Sequence, residues 1–122
     1  MASMKVNKKT VNRWGIYSKK SNINKNNFYI NDVVEKPDIK SAPSNNAVIG
    51  RYILPKKIFK KLKNQKKGKG GEVHITDAIQ RLIDNGSKFV GHKFSGSYLD
   101  CGSMNGYIKS SSLILKIWKF AW

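Results

Sequence analysis

Two acidic residues and one lysine occur where side chains of their types could bind a ligand, at the ends of expected strands. Glu35 and Lys36 follow the apolar stretch 28–34, and Asp100 follows a second extended stretch. In open α/β sheets, ligands lie at the carboxyl ends of the strands. There a carboxylate accepts hydrogen bonds from neighbouring hydroxyls, as on a sugar, whereas an ammonium meets a phosphate as a point charge. The alternative is that Glu35 and Lys36 are solvated residues at the start of a turn.

The strand before Glu35 is the element that has to position this pair. Residues 28–34 are rich in β-branched and aromatic side chains, which predicts a partly buried strand. Pro37 ends it, because proline cannot extend a central ladder and disfavours the helical region for the residue before it. A further extended stretch, 13–17, contains Gly15 between two bulky residues, which indicates either a bulge or the close approach of a ligand.

Strands and helices are both expected in the rest of the chain. A nearly continuous apolar run over 46–54 predicts a strand that is covered on both faces. Thr76 is the expected N-cap of a helix whose buried stripe consists of Ala78, Ile79, Leu82 and Ile83. The other expected elements are a strand over 1–6, a helical turn over 7–12, loops over 19–27 and 38–45, a short basic helix after Pro55, strands over 88–94 and 97–99, and a helix over 104–118.

The composition is that of one globular domain with a large positive charge. The 122 residues carry a formal net charge of +17, and 39% of them are hydrophobic. A positive charge of this size produces an electrostatic field that attracts nucleic acid, nucleotides or an anionic membrane surface. Almost all of the basic residues are lysine rather than arginine, the residue that reads guanine edges and clamps phosphates. We interpret the lysines mainly as solvated surface, and a small lysine-rich nucleic-acid-binding module is the alternative function.

Several other classes of protein are disfavoured. No apolar run is long enough to span a bilayer, and the basic stretch 56–63 is too short to bind a membrane strongly by itself. The single cysteine, Cys101, cannot form an internal disulfide, which fits a reducing cytoplasm. His74 and His92 lack partners at metal-ligand spacings, so a zinc site is not expected. The basic loop 66–71 lacks the Gly-Lys-Ser/Thr ending of a P-loop.

Five separated segments carry a family resemblance. They are Trp14-Gly15-Ile16, Val34-Glu35-Lys36-Pro37, Ala42-Pro43-Ser44-Asn45 through Leu54, Gly70-Gly71-Glu72 through Ile79, and Tyr98 through Gly102. In this order and at this spacing they resemble bacterial UTP–glucose-1-phosphate uridylyltransferases, also called UDP-glucose pyrophosphorylases. The match extends from near Met1 to about Ser110, and segments in register are far more specific than a single motif.

The resemblance implies a fold, a reaction and a set of site residues. The fold would be the nucleotidyltransferase fold, a Rossmann-like three-layer α/β sandwich with a mixed, mostly parallel sheet, of which this chain forms the C-terminal portion. UTP and glucose 1-phosphate would give UDP-glucose and pyrophosphate with the help of Mg²⁺. Gly15 would let the backbone approach the hexose, Glu35 would accept its hydroxyls, and Val48 would line the sugar pocket through its backbone. Lys36 and Asp100 would be catalytic, with Lys36 holding the sugar phosphate and Asp100 ligating magnesium.

The same resemblance sets the expected boundaries. Residues 1–110 would be the sugar-phosphate-binding half of a nucleotidyltransferase domain, and 111–122 a divergent C-terminal tail. The half without a counterpart here carries the glycine-rich UTP loop and a second metal-binding aspartate, so Met1 resembles an internal start. We therefore expect no turnover of UTP by this chain alone and a homo-oligomer for the full-length enzyme. An unpaired strand edge and an uncovered apolar face should favour self-association of the chain.

Overall fold

The structure, a computed structural model, describes residues 1–118, so the last four residues of the predicted tail lie outside the described part. The strands are β1 (Ala2–Lys5), β2 (Gly15–Asn22), β3 (Asn27–Glu35), β4 (Asn46–Val48) and β5 (Val90–Lys93). The helices are α1 (Ile58–Lys63), α2 (Ile75–Asp84) and α3 (Met104–Ile117), with 3-10 helices at Lys8–Arg13 and Lys69–Gly71.

The five strands form one mixed sheet whose pairings close on themselves in the order β1-β4-β2-β3-β5. β1 and β5 are parallel, whereas the other four pairings are antiparallel. The mixed sheet is as expected, but its described part is mainly antiparallel, because the hairpin between β2 and β3 reverses the chain direction. The prediction of an unpaired strand edge is wrong, since each of these strands pairs with a neighbour on both sides over part of its length.

The strand predicted over 28–34 is confirmed as β3, which forms a hairpin with β2. The loop predicted over 19–27 is partly wrong, because β2 continues to Asn22 opposite Phe28, with register shifts around Lys19. The Lys, Ser and Asn residues of this segment have the composition of a loop. Their strand conformation comes from pairing with β3, which local composition does not reveal.

The long strand predicted over 46–54 is confirmed only as far as Val48. Gly50 has a φ of +71°, a conformation that glycine adopts easily and that leaves the extended region. Beyond it, Ile53 is 97% exposed, so this part of the apolar run is not covered on both faces. Residues 97–99 also lie outside any strand. Apolar composition favours a strand but cannot supply the neighbour with which a strand must pair.

The main core lies between the sheet and α2. Ala78, Ile79 and Leu82 of α2 are buried as predicted, and Ile83 packs against the same cluster. They meet the inward-facing side chains of the strands, among them Tyr17, Phe28, Ile30, Val33 and Val48. A second, smaller cluster of Val11, Ile16 and Ala47 lies on the other side of the sheet. The sheet is therefore covered on both faces where the expected site residues begin.

The helix predicted over 104–118 is confirmed as α3, which begins after Ser103, whose hydroxyl accepts a hydrogen bond from the Gly106 N–H. Its buried residue is Ser110. The large apolar side chains of the helix are mostly exposed: Met104, Tyr107, Ile108, Ile114, Leu115 and Ile117. The exposed apolar surface lies on this helix, whereas the uncovered apolar face was expected on the sheet. Within residues 1–118, no helix combines the length and the apolar character needed to cross a membrane.

Candidate functional site

Three of the predicted site residues lie side by side on neighbouring strands. Gly15 of β2 is the direct partner of Glu35 on β3 and of Val48 on β4. Residues that pair directly across strands face the same side of a sheet. All three residues line one cleft of about 580 Å³, at the point where β3 ends. The register of the sheet therefore brings together residues that are up to 33 positions apart in the sequence, from Gly15 to Val48.

The Glu35 carboxylate is held in a defined position by two side chains from the start of α2. The Thr76 hydroxyl donates a hydrogen bond of 2.6 Å to Oε2. The Nδ1 atom of His74 lies 3.9 Å from Oε1, and the Glu35 side chain is only 15% exposed. One face of the carboxylate is thus fixed by the protein, while the residue still lines the cleft.

The N-cap prediction for Thr76 is wrong. The helix begins at Ile75, and His74 occupies the cap position without a side-chain hydrogen bond to the helix backbone. The Thr76 hydroxyl bonds to Glu35 instead of to a free backbone N–H. A carboxylate accepts a stronger hydrogen bond than a neutral group does, which explains why this tertiary contact replaces the local cap.

Gly15 leaves no room for a side chain. An added Cβ would lie 2.8 Å from Cγ2 of Thr76 and 3.1 Å from Oε2 of Glu35. The residue pairs regularly on both sides, and the register shifts of β2 occur later, between Ser18 and Ser21. Of the two interpretations of this glycine, a bulge does not apply, and the close approach of a ligand stays a prediction. The groups that the structure places against Gly15 are the side chains of Thr76 and Glu35.

Lys36 has an unusual backbone conformation next to Glu35. Its φ is +44°, in a region that residues other than glycine rarely occupy. Its N–H donates to the Trp14 carbonyl at 2.9 Å, which extends the pairing of β2 and β3 by one residue. The ammonium lies 3.7 Å from the carboxylate of Glu72, beside the cleft rather than in its lining. Such conformations cost energy and cluster at functional sites.

Asp100 lies in a neighbouring pocket. Its Oδ2 atom is 3.5 Å from the Arg13 guanidinium, and its Oδ1 atom accepts a hydrogen bond from the Gly102 N–H at 3.0 Å. This pocket, of about 300 Å³, shares Arg13 and Tyr98 with the Glu35 cleft. Asp100 is therefore adjacent to the cleft without lining it.

Several residues that line the cleft were not among the predicted site residues. Tyr52 lines it, and burial together with the negative charge of Glu35 raises the pKa of its hydroxyl. Trp14 and Tyr98 meet edge to face, with ring centroids 5.3 Å apart, and close one end. Thr76 was within reach of sequence reasoning, because it belongs to one of the segments that carry the family resemblance.

A cleft with a fixed carboxylate at the end of a strand, in an α/β chain of this topology, defines a class of protein. The chain belongs to the nucleotidyl transferase family, whose model matches residues 1–117.

Within that family, several similar proteins are UTP–glucose-1-phosphate uridylyltransferases. The chain is 40% identical over 112 residues to a UTP–glucose-1-phosphate uridylyltransferase of Pseudomonas aeruginosa. The matched region covers 92% of this chain and 39% of that protein. A counterpart from Mycoplasma pneumoniae is 38% identical over 83% of this chain and 35% of its own length. The crystal structure of UDP-glucose pyrophosphorylase complexed with UDP-glucose superimposes with a TM-score of 0.88 at 38% identity, over 94% of this chain and 43% of that one.

The comparisons confirm the resemblance and the nucleotidyltransferase fold expected from the five segments. The chain spans about two-fifths of the length of the relatives and structures named above, so it corresponds to part of a uridylyltransferase. Nothing in these comparisons supports the alternative of a nucleic-acid-binding module.

Proposed function

We propose that this chain forms the hexose-phosphate-binding part of a UTP–glucose-1-phosphate uridylyltransferase. The observation that carries the proposal is the row of Val48, Gly15 and Glu35 across three strands, with the carboxylate fixed by Thr76. A carboxylate held on one side keeps lone pairs available for two sugar hydroxyls on the other. The backbone on either side of Gly15 and Val48 is then free to approach the sugar ring.

In the proposed reaction, a phosphate oxygen of glucose 1-phosphate attacks the α-phosphorus of UTP, and pyrophosphate leaves from the opposite side. Glu35 binds the hexose, and Lys36 neutralises the sugar phosphate as a point charge. The Lys36 side chain is 40% exposed, and its ammonium lies 3.7 Å from Glu72. The ammonium is therefore accessible to an anion. Residues 1–110 would form this half of the domain within a Rossmann-like three-layer arrangement.

Asp100 is the proposed ligand for a divalent cation, Mg²⁺. Its carboxylate offers the hard oxygen atoms that this ion prefers, and magnesium sites commonly use only one or two carboxylates together with substrate phosphates. Within residues 1–118, no group of three or more His, Cys, Asp or Glu residues could hold a metal ion, so Asp100 would act as a single ligand. When bound, the ion would neutralise charge that develops on the phosphates. Binding must compete with Arg13, whose guanidinium is 3.5 Å from the carboxylate.

The rest of the proposal concerns the whole enzyme. Because the matched relatives are longer than this chain, we expect glucose 1-phosphate binding but no turnover of UTP by these 122 residues alone. The exposed apolar side chains of α3 support a homo-oligomer of the full-length enzyme. A cytoplasmic location is proposed because the exposed Cys101 is a free thiol.

Titration of the chain with glucose 1-phosphate, followed by NMR or calorimetry, tests the proposal. Glu35→Gln should weaken binding about tenfold, since hydrogen bonds to a charged acceptor contribute about 1.5–3 kcal/mol. Asp84→Asn removes one carboxylate at the exposed end of α2 and is the matched control, with no expected change. Absence of saturable binding by the unaltered chain would overturn the proposal, and equal binding by Glu35→Gln would remove Glu35 from the site.

A further inference from the structure

Two lysines with exposed side chains, Lys5 and Lys93, lie at one end of the sheet. Ser3 of β1 is buried, and Lys5 follows it two positions later, on the same face of the strand. Gly91 of β5 lies against the Phe28 ring so closely that no side chain would fit, and Lys93 follows it two positions later. Ser3 and Lys93 are direct partners across β1 and β5. Lys5 and Lys93 therefore lie on the inward-facing side of neighbouring strands.

A third lysine joins them from β2. Lys19 is the cross-strand partner of Ile30, a core residue, so it shares the inward-facing side. Its ammonium lies 4.5 Å from the centroid of the Phe28 ring, within the range of a cation–π contact. Phe28 in turn stacks on Tyr17, with centroids 5.2 Å apart. The three lysines thus lie at one end of the closed set of strands, next to the stacked rings of Phe28 and Tyr17.

The charges of this cluster, Lys5, Lys19 and Lys93, are not compensated within the described residues. The ion pairs of residues 1–118 involve other cations, and no carboxylate lies within 4.0 Å of these three ammonium groups. Burial lowers the pKa of Lys19, and the charges of Lys93 and Lys5 lower it further. Three positive groups that repel each other in this way are stabilised by an anion that contacts all of them.

We propose that Lys5, Lys19 and Lys93 form a binding site for a small phosphate anion, separate from the Glu35 cleft. None of the three belongs to the lining of that cleft. A phosphate group presents several acceptor oxygens and up to two negative charges, so it can bond to three ammonium groups at once, whereas a single carboxylate has only two oxygens. Free phosphate, pyrophosphate and the phosphate chain of a nucleotide all supply this chemistry.

The direct test is titration of the full chain with inorganic pyrophosphate at constant ionic strength, followed through the Phe28 ring and lysine side-chain NMR signals. The unaltered chain should show saturable binding. Lys19→Gln combined with Lys93→Gln should weaken binding at least tenfold. Lys56→Gln combined with Lys60→Gln changes the net charge equally, at exposed positions just before and within α1, and should alter binding less than twofold. A nucleoside triphosphate in a parallel arm shows whether the base contributes beyond the phosphates.

A second measurement does not depend on ligand affinity. In phosphate-free buffer Lys93→Gln should raise the melting temperature by a few degrees, because it removes repulsion at Lys19. If the double variant at positions 19 and 93 fails to fold, Lys5→Gln replaces it in the pyrophosphate titration. The proposal is overturned if the unaltered chain binds no pyrophosphate, or if both double variants lose affinity equally. It is also overturned if only duplex DNA binds, since that result would reflect net charge.

Discussion

The Glu35 cleft and the segment from Asp100 through α3 are built in different ways. In the cleft, Gly15, Glu35 and Val48 are fixed by direct pairing of three strands, and Thr76 at the start of α2 contacts Gly15 and Glu35. Asp100 is oriented by one ion pair with Arg13 and by the turn to Gly102. The first region is held by strand pairing and burial, whereas the second is held by one partly exposed ion pair and a local turn.

This difference predicts which half of the proposed chemistry the chain can perform alone. Strand pairing and burial give the cleft a fixed geometry before any ligand arrives. α3 has a good N-cap at Ser103 but little buried surface, and isolated helices of its length are only marginally stable in water. The proposed sugar-binding side should therefore be preformed, whereas the proposed metal-binding side needs further contacts for its apolar helix.

The largest expected difference between the two regions is in the cost of removing an isoleucine. Ile79→Ala should lower the free energy of unfolding by about 2–5 kcal/mol, because Ile79 is fully buried between α2 and the sheet. Ile108→Ala on α3 should cost less than about 0.5 kcal/mol, because its side chain is 55% exposed. Urea denaturation of both variants measures the contrast. Equal losses would show that α3 is packed in solution.

A smaller effect should appear at high pH in the core below the lysine cluster. Burial raises the pKa of Tyr17 from 10.0 to about 12, so the unfolded chain loses this proton first as the pH rises. The titration of Tyr17 should leave the free energy of unfolding unchanged below about pH 9 and lower it between about pH 10 and 12, by at most about 3 kcal/mol. Tyr17→Phe should reduce the fall measured by denaturation across the pH range, and the raised pKa of Tyr52 accounts for part of what remains.

The control for this experiment is Tyr107→Phe, which removes an exposed hydroxyl from α3. The profile of this variant should follow that of the unaltered chain. If Tyr17→Phe keeps the same loss of stability between pH 10 and 12, the buried hydroxyl is not its source.

The smallest contrast concerns the polar contacts that orient the two carboxylates. Thr76→Val removes the hydroxyl bonded to Glu35 and should cost about 1–3 kcal/mol, because the carboxylate is largely buried. Thr76→Ser keeps the hydroxyl and should recover most of this loss. Arg13→Gln removes an exposed ion pair with Asp100 and should cost less than about 1 kcal/mol. A larger cost for Arg13→Gln than for Thr76→Val would reverse our comparison of the two regions.

Local sequence signals predicted the elements of this chain better than their extent. The β-branched residues before Pro37 and the apolar stripe of α2 both gave correct elements, because each signal acts within a few residues. The prediction of a strand over 46–54 was wrong beyond Val48, and the polar end of β2 was not predicted as a strand. In both cases the outcome depended on whether a partner strand was available, which no local pattern encodes.

The sequence by itself determined the candidate residues and the family, since motifs in register specify a common ancestor and its fold. Only the tertiary structure decided how those residues are used. It placed Gly15 beside Glu35 and Val48, moved the Thr76 hydroxyl from a helix cap to a carboxylate, and left Asp100 outside the cleft. The physical reason is that residue types fix which bonds a group can make, whereas strand register and packing fix which partner it meets.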